Sequence, residues 1–400
     1  MIVWPVAAMA TASLNSDMVS VRIVRELALE AQVIVCCSDE GVETRARAVL
    51  ERNGVRTGGV RFVRYPCEIQ FPRDFGAEVT VDEQGNRRRV DFRFTMYGQF
   101  SEEEEISKRL RAFAAFHAAE IGVSDVVAAD LVGEGGDREF NGRGAMMAIR
   151  ETEVDKRNPD KTVEQVEAEF RRVFGVEKII WIPRASYDDE YAYSGPIPSE
   201  NGAFTAFRAS SANGHIDEIC RFADPRTVIV ARIDTEEASR SALHALNKER
   251  LDQAYEAVRA ASDVSGAPFR ILEMPVPEPF YVDLRPGDDA FLLWDEKEYG
   301  KPALTDGSPF PEPPVRVLPA MSYCNFLVCN GVVLAHKYFA PGMPSMVREK
   351  DEKALEVLRE AFPGRRVVQI DPLALNLYGG GIHCHTRNVP VRTMKRGSAS

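Results

Sequence analysis

The order of the predicted elements constrains this chain more than any single motif. From Asp74 the sequence reads as a strand (Ala77 to Val81), a turn at Gln84-Gly85-Asn86, a strand (Arg89 to Phe94), a helix (Glu102 to Ile121) and a strand (Asp125 to Val132). The same ββαβ order recurs from Glu139, from Ile216 and from Asn325. Asn141-Gly142 and Asn330-Gly331 separate the paired strands of two of these units, and Asn-Gly between apolar runs is a strong hairpin signal. Two remnants are left over. The N-terminus offers helix (Asp17 to Glu30), strand (Ala31 to Cys36), helix (Glu40 to Asn53) and strand (Val60 to Arg64), and the chain after Gly381 offers an extended piece. Together they predict a fifth unit that closes a ring, since radial repetition leaves only short, protected sheet edges. The expected fold class is therefore α/β, a five-bladed propeller of ββαβ units with pseudo-fivefold symmetry, spanning residues 1–400 as one domain.

One stretch interrupts the rhythm. Residues 278–319 hold Pro279, Pro286, Pro302, Pro309, Pro311, Pro313 and Pro314, and proline cannot donate to a sheet ladder. This predicts an insertion or lid, with Trp294 and Tyr299 either closing over a ligand or anchoring the loop. The apolar start, Met1 to Ala12, has no Lys or Arg before Arg22 and is too short to span a bilayer, so it reads as part of the fold. No later segment reads as a membrane span.

The net charge of −11 argues against a surface for nucleic acid and suits a small cationic ligand. Seven cysteines, an odd number with Cys36 and Cys37 adjacent, fit reduced thiols in a cytoplasmic protein rather than a disulfide framework. A homo-oligomer is left open.

The reactive residues fall at matching places. Each unit is preceded by a polar, mostly Gly-flanked stretch: Pro72-Arg73-Asp74-Phe75-Gly76, Gly133-Glu134-Gly135-Gly136-Asp137, Asn213-Gly214-His215-Ile216-Asp217-Glu218, Ser322-Tyr323-Cys324-Asn325 and Gly381-Ile382-His383-Cys384. In a ring these positions lie near one axis, so Asp74, Glu134, His215, Asp217 and Cys384 are expected to converge. Cys384 follows three glycines and is flanked by His383 and His385, as a nucleophilic thiol presented from a tight turn would be. Asp74 and Asp217 can make a fork for a guanidinium, whose planar donors match carboxylate oxygens in pairs. His215 and Asp217, two apart, would share one face of a strand. His215 is then the candidate acid/base, with Glu134 orienting it.

Gly214-His215-Ile216-Asp217-Glu218 and Gly379-Gly380-Gly381-Ile382-His383-Cys384-His385-Thr386 resemble the two signature motifs of the agmatine deiminase and bacterial peptidylarginine deiminase-like family. Glu134-Gly135-Gly136-Asp137 and Ser322-Tyr323-Cys324-Asn325-Phe326 resemble two further segments of that family. The resemblance implies the pentein fold, a covalent thiouronium on Cys384, His215 as acid/base, Asp74 and Asp217 as guanidinium ligands, Glu134 as partner of His215, and Asn325 in the substrate site. It implies hydrolytic deimination of a small guanidino compound, agmatine first, with no cofactor and no metal. The first motif departs from the family pattern: Phe71-Pro72 stands where Trp usually precedes Arg-Asp, and Ala77 replaces a proline. This leaves arginine or peptidyl-arginine as other substrates. An amidinotransferase that passes the same carbon to an amine, and a catalytically silent propeller that binds a partner, are the rival readings.

Overall fold

A computed structural model describes residues 1–199, 202–295 and 302–390. The chain is a mixed α/β protein. In four places an antiparallel strand pair is followed by a helix and a third strand parallel to the middle one. Glu78–Val81 pairs with Arg87–Arg93, which pairs with Asp125–Val132 across the helix Glu105–Glu120. Arg138–Phe140, Ala145–Ile149 and Lys178–Ile182 repeat this with the helix Val163–Phe174. Cys220–Asp224, Thr227–Arg232 and Arg270–Pro275 use Ala242–Ala260. Leu327–Cys329, Val332–His336 and Arg366–Ile370 use Ser345–Ala361. The middle strands of the second, third and fourth units are buried on both faces and largely apolar, as in Ala145–Ile149, where every residue is buried; that of the first unit, Arg87–Arg93, is charged and mostly half-buried. Local signals set the helix ends. Thr162 and Gln165 form a reciprocal capping box before Val163–Phe174, and Gly175 closes the helix at φ +68°.

The N-terminal sheet differs from the expected fifth unit. Its strands Ile2–Val3, Val33–Cys37 and Val60–Arg64 are all parallel, and the outer strand comes from the N-terminus rather than from the chain after Gly381. That chain is spent on a turn, with His385 N donating to Gly381 O at 3.0 Å. It meets the N-terminus at one residue pair, where Met1 N donates to Arg387 O at 2.7 Å and Arg387 N to Met1 O at 2.8 Å. One apolar cluster joins this sheet to Leu375, Leu377 and Ile382, and another runs through the second, third and fourth units.

Residues 278–319 are an insertion, but not one without sheet. Val282–Leu284 pairs antiparallel with Val315–Leu318, which pairs parallel with Phe207–Arg208. The prolines border these strands instead of entering them, and the partner strand comes from a second excursion, residues 184–214, that the sequence pattern did not reveal. Trp294 is an anchor: it is buried, its Nε1 donates to Ala209 O at 3.0 Å, and its ring packs 5.2 Å from those of Tyr193 and Phe207. Tyr299 lies outside the described residues. Among the described residues no helix is long and apolar enough to cross a membrane.

Candidate active site

Cys384 is held from below by amides and from behind by glycines. After the short helix Leu373–Asn376 the chain turns at Gly379, φ +95°, and passes so close to its neighbours that side chains are excluded. A Cβ on Gly380 would sit 2.8 Å from the Cβ of Cys384, and one on Gly381 would sit 2.3 Å from Cε1 of His336. Asn325 Oδ1 accepts the backbone N–H of His383 at 3.0 Å and of Cys384 at 3.3 Å. Its Nδ2 donates to Glu218 Oε1 at 3.0 Å and to Cys384 Sγ at 3.1 Å. Asn325 was expected to bind substrate; here its amide is taken up by the backbone of residues 383 and 384, by Glu218 and by the sulfur, so it positions the sulfur. The flanking imidazoles also turn away from the thiol. His383 Nδ1 lies 2.6 Å from Asp217 Oδ2, while His385 reaches Gln70 O at 2.7 Å and Ser20 Oγ at 3.0 Å.

The four other predicted residues meet around His215. Asp74 comes from the helical turn Pro72–Phe75 and Glu134 from just before the turn Gly135–Asp137. His215 is extended and Asp217 sits in the turn Ile216–Glu218, so their convergence is made by a turn and not by the strand alternation expected. His215 Nδ1 lies 3.7 Å from Asp74 Oδ1, and Nε2 lies 3.6 Å from Glu134 Oε2. Asp217 Oδ2 is 3.8 Å from Cys384 Sγ. All five side chains are buried, and among the described residues neither His215 nitrogen nor Asp217 Oδ1 has a hydrogen-bond partner. Buried polar atoms without partners are rare in folded proteins, and their grouping here points to a functional centre.

A surrounding shell fixes these groups, and sequence reasoning did not find it. Asp189 accepts the backbone N–H groups of Ala212, Gly214 and His215 at 3.0, 3.1 and 2.7 Å. Arg157 Nε donates to both oxygens of Glu134 at 2.9 Å. Tyr97 Oη and Gly136 N donate to the two oxygens of Asp74 at 2.9 and 3.0 Å. Only His383 carried a signal, its adjacency to Cys384.

Charge follows from this geometry. Burial opposes a charge on His215, but Asp74, Glu134 and Asp217 outweigh it and push the ring up to about 10, so it is an imidazolium at neutral pH. Burial would raise Glu134, but Arg157 and His215 overcome it and hold the carboxyl at about 2. Burial pushes Asp217 up to about 7 against the pull of His215, and it raises Asp74 as well. Burial, with Asp217, Asp74 and Glu218 nearby, lifts the Cys384 thiol well above its ordinary value. The centre thus holds a protonated thiol beside a charged imidazole, with acceptor positions suited to a cation. Asp217, Glu218 and Cys384 also bring metal-capable atoms within 4.8 Å of one another. Glu218 is driven towards its acid form by burial, however, and Asp217 Oδ2 already holds His383, which leaves fewer open donors than the three protein ligands usual for catalytic zinc.

A cavity of ≈130 Å³ adjoins the centre, bounded by Phe71, Tyr97, Ser210, Ser211, Asp289 and Gly379. Gly136 is the tightest wall on the other side, since a Cβ there would lie 2.5 Å from His215 Nδ1 and 2.8 Å from Asp74 Oδ1. Gly136→Ala is therefore expected to displace the imidazole and cost about 10²-fold in turnover, because a shift near 1 Å costs that much. Steady-state kinetics on folded variant checks it.

The fold and the centre define a class: a repeated α/β protein with a buried cysteine, histidine and carboxylate constellation, its histidine and carboxylates from turns that precede strand pairs and its cysteine from the turn near the C-terminal end. The profile of the Porphyromonas-type peptidyl-arginine deiminase family matches residues 1–194 and 205–390, and the chain belongs to that family. It is 26% identical to the putative agmatine deiminase of Selenomonas ruminantium, over 98% of this chain and 92% of that one. It is 25% identical to the agmatine deiminase of Pseudomonas aeruginosa (strain LESB58), over 90% and 83%. Among solved structures it is similar to the agmatine deiminase of Enterococcus faecalis, with TM-score 0.74 and 18% identity over 98% and 92% of the two chains. It is also similar to the putative arginine deiminase of Porphyromonas gingivalis, with TM-score 0.69 and 20% identity over 97% and 94%. These two likenesses show a common fold.

Proposed function

We propose that this protein is a hydrolase that removes ammonia from a small guanidino compound, agmatine first, on a five-bladed α/β propeller. The single observation that carries the reading is the grouping of a buried thiol with the partnerless Asp217 Oδ1 and the partnerless ring of His215. The agmatine deiminases among its relatives support the substrate class. Four ββαβ units, a parallel N-terminal sheet and the Met1–Arg387 pair support closure of the ring.

The residues supply each step. A carboxylate oxygen accepts two hydrogen bonds, so Asp74, though bonded to Tyr97 and Gly136, keeps open positions and with Asp217 can grip a guanidinium. The bound cation offsets the negative field that holds Cys384 protonated and favours the thiolate, which is the nucleophile. The thiol proton passes to solvent, since His215 already carries its own, and the sulfur regains one after the product leaves. The thiolate adds to the guanidino carbon, the His215 imidazolium gives its proton to one nitrogen, and ammonia leaves a thiouronium. Neutral His215 then takes a proton from water as the oxygen adds. The C–S bond breaks with the electron pair on sulfur, the ureido product leaves, and ammonia carries the remaining proton away. Glu134, locked by Arg157, keeps the imidazole oriented and charged. In the adjoining cavity Asp289, which accepts the Tyr378 hydroxyl at 2.7 Å, supports a substrate whose far end is a second cation.

Ammonia release from agmatine, free arginine, arginyl peptides and guanidinoalkyl acids tests the reading, and agmatine is expected to be turned over best. Silence across the panel would sink it, and amidino transfer to an added amine without ammonia would replace hydrolysis by transfer. The pH profile is a further expected result. Asp217 must be ionised to hold the cation, so kcat/KM should fall tenfold per unit as pH drops below about 7 and level off above it. A flat profile between pH 5 and 8 would contradict this role.

A further inference from the structure

A second basin, of ≈670 Å³, shares no lining residue with the cavity at Tyr97. The first strands of the four ββαβ units wall it, and Arg73, Arg138, Arg221, His383 and Arg387 lie in its floor. The carboxylates in reach are already taken. Glu78 accepts from Arg138 at 2.9 Å, and Arg138 also donates to Glu153 at 2.8 Å. Glu139 accepts from Arg221 Nε at 2.6 Å and from Phe222 N at 3.1 Å.

Arg73 and Arg387 are left over. Arg73 is 6% exposed, and its guanidinium donates only to neutral oxygens, His383 O at 3.3 Å and Asn388 Oδ1 at 2.9 Å. Arg387, equally buried, donates to Ala77 O at 3.0 Å and Arg73 O at 2.9 Å, and the carboxylate oxygen nearest to it, on Glu78, is 4.0 Å away. Two buried guanidiniums beside an open basin, Arg73 with no paired anion among the described residues and Arg387 paired only at 4.0 Å with Glu78, are costly to desolvate. Arg73, next to Asp74, could instead have paired with that carboxylate; the structure points it away from the reactive centre and into the basin.

We propose that the floor of this basin binds a compact oxyanion, phosphate or carboxylate in type, between Arg73 and Arg387. Guanidinium forks match such oxygens in paired, charge-assisted bonds. The site lies directly behind the nucleophile: Arg73 N donates to Cys384 O at 3.2 Å, and Arg73 Nε holds the carbonyl of His383, whose ring bonds Asp217. An anion here would compensate the charge of Arg73 and tighten the segment that carries Cys384. Burial, with Arg387 and Arg221 adding repulsion, already brings Arg73 down to about 9, the direction expected of a cation lacking its counter-ion.

Calorimetric titration of the whole protein with inorganic phosphate, against chloride at matched ionic strength, tests this without reference to turnover. One saturable site is expected, with a rise in the unfolding midpoint of about 3 °C at ~100 times the Kd. Affinity should drop at least about tenfold in Arg73→Gln, the loss of one charge-assisted pair. Should that variant not fold, the comparison is made in Arg387→Gln. A parallel titration with acetate separates the sources: tighter binding of phosphate assigns a phosphate-type ligand, and tighter binding of acetate a carboxylate. No effect beyond chloride in the unaltered protein, or phosphate binding undiminished in the variants, would overturn the proposal.

Discussion

Cys384→Ala is expected to lower ammonia release by at least about 10⁴-fold while leaving the protein folded, because a covalent route has no substitute once its nucleophile is gone. The sulfur is 1% exposed, yet it makes few contacts that the fold depends on. Asn325 Nδ2, which donates to it, also donates to Glu218, and Asn325 Oδ1 still carries the backbone of residues 383 and 384. Alanine therefore deletes the reacting atom and spares its cradle. Turnover and the thermal midpoint measured on the same sample separate chemistry from folding: loss of both together would make Cys384 a structural residue. Turnover preserved in a folded variant would end the covalent reading.

Most of what organises this centre was legible because it is periodic. Hairpin turns and apolar runs are local signals, and four ββαβ units in one order led to the expectation that His215 and Cys384 meet although 169 residues part them. What escaped was not periodic. The outer N-terminal strand is two residues, Ile2–Val3, and the strand that completes the insertion sheet is also two, Phe207–Arg208; neither is long enough to show an alternation. Arg157 follows a six-residue wide turn, Glu151–Lys156, and reaches Glu134 from 23 positions away, a pairing that only the tertiary fold decides. Asp189 works through backbone N–H groups, so nothing in the identity of its partners announces it. The expectation for Asn325 erred for a related reason. A polar residue beside a reactive cysteine suits substrate as well as scaffold, and only the hydrogen-bond count shows that its amide has no donor or acceptor to spare.

Asp217→Asn is the second large effect, and it tests the charge of the site more than its shape. The substitution keeps the side chain's size and can still accept the bond from His383 Nδ1, which now lies 2.6 Å from Oδ2. What it removes is the negative charge at Oδ1, an atom that, like both His215 nitrogens, has no hydrogen-bond partner among the described residues. Deleting one member of a buried charge pair costs about 3–5 kcal/mol, which corresponds to about 10²–10⁴-fold in kcat/KM for a guanidinium substrate. Loss of packing alone could mimic that fall, so the pH profile is the decisive readout. The limb near pH 7 belongs to Asp217, whose carboxyl burial lifts to about 7, and an amide cannot titrate. The residual activity of the variant should therefore lose that limb and run level through neutrality. If the acid limb persists in Asp217→Asn, the ionisation belongs to another group, and the guanidinium grip assigned to Asp217 falls with it.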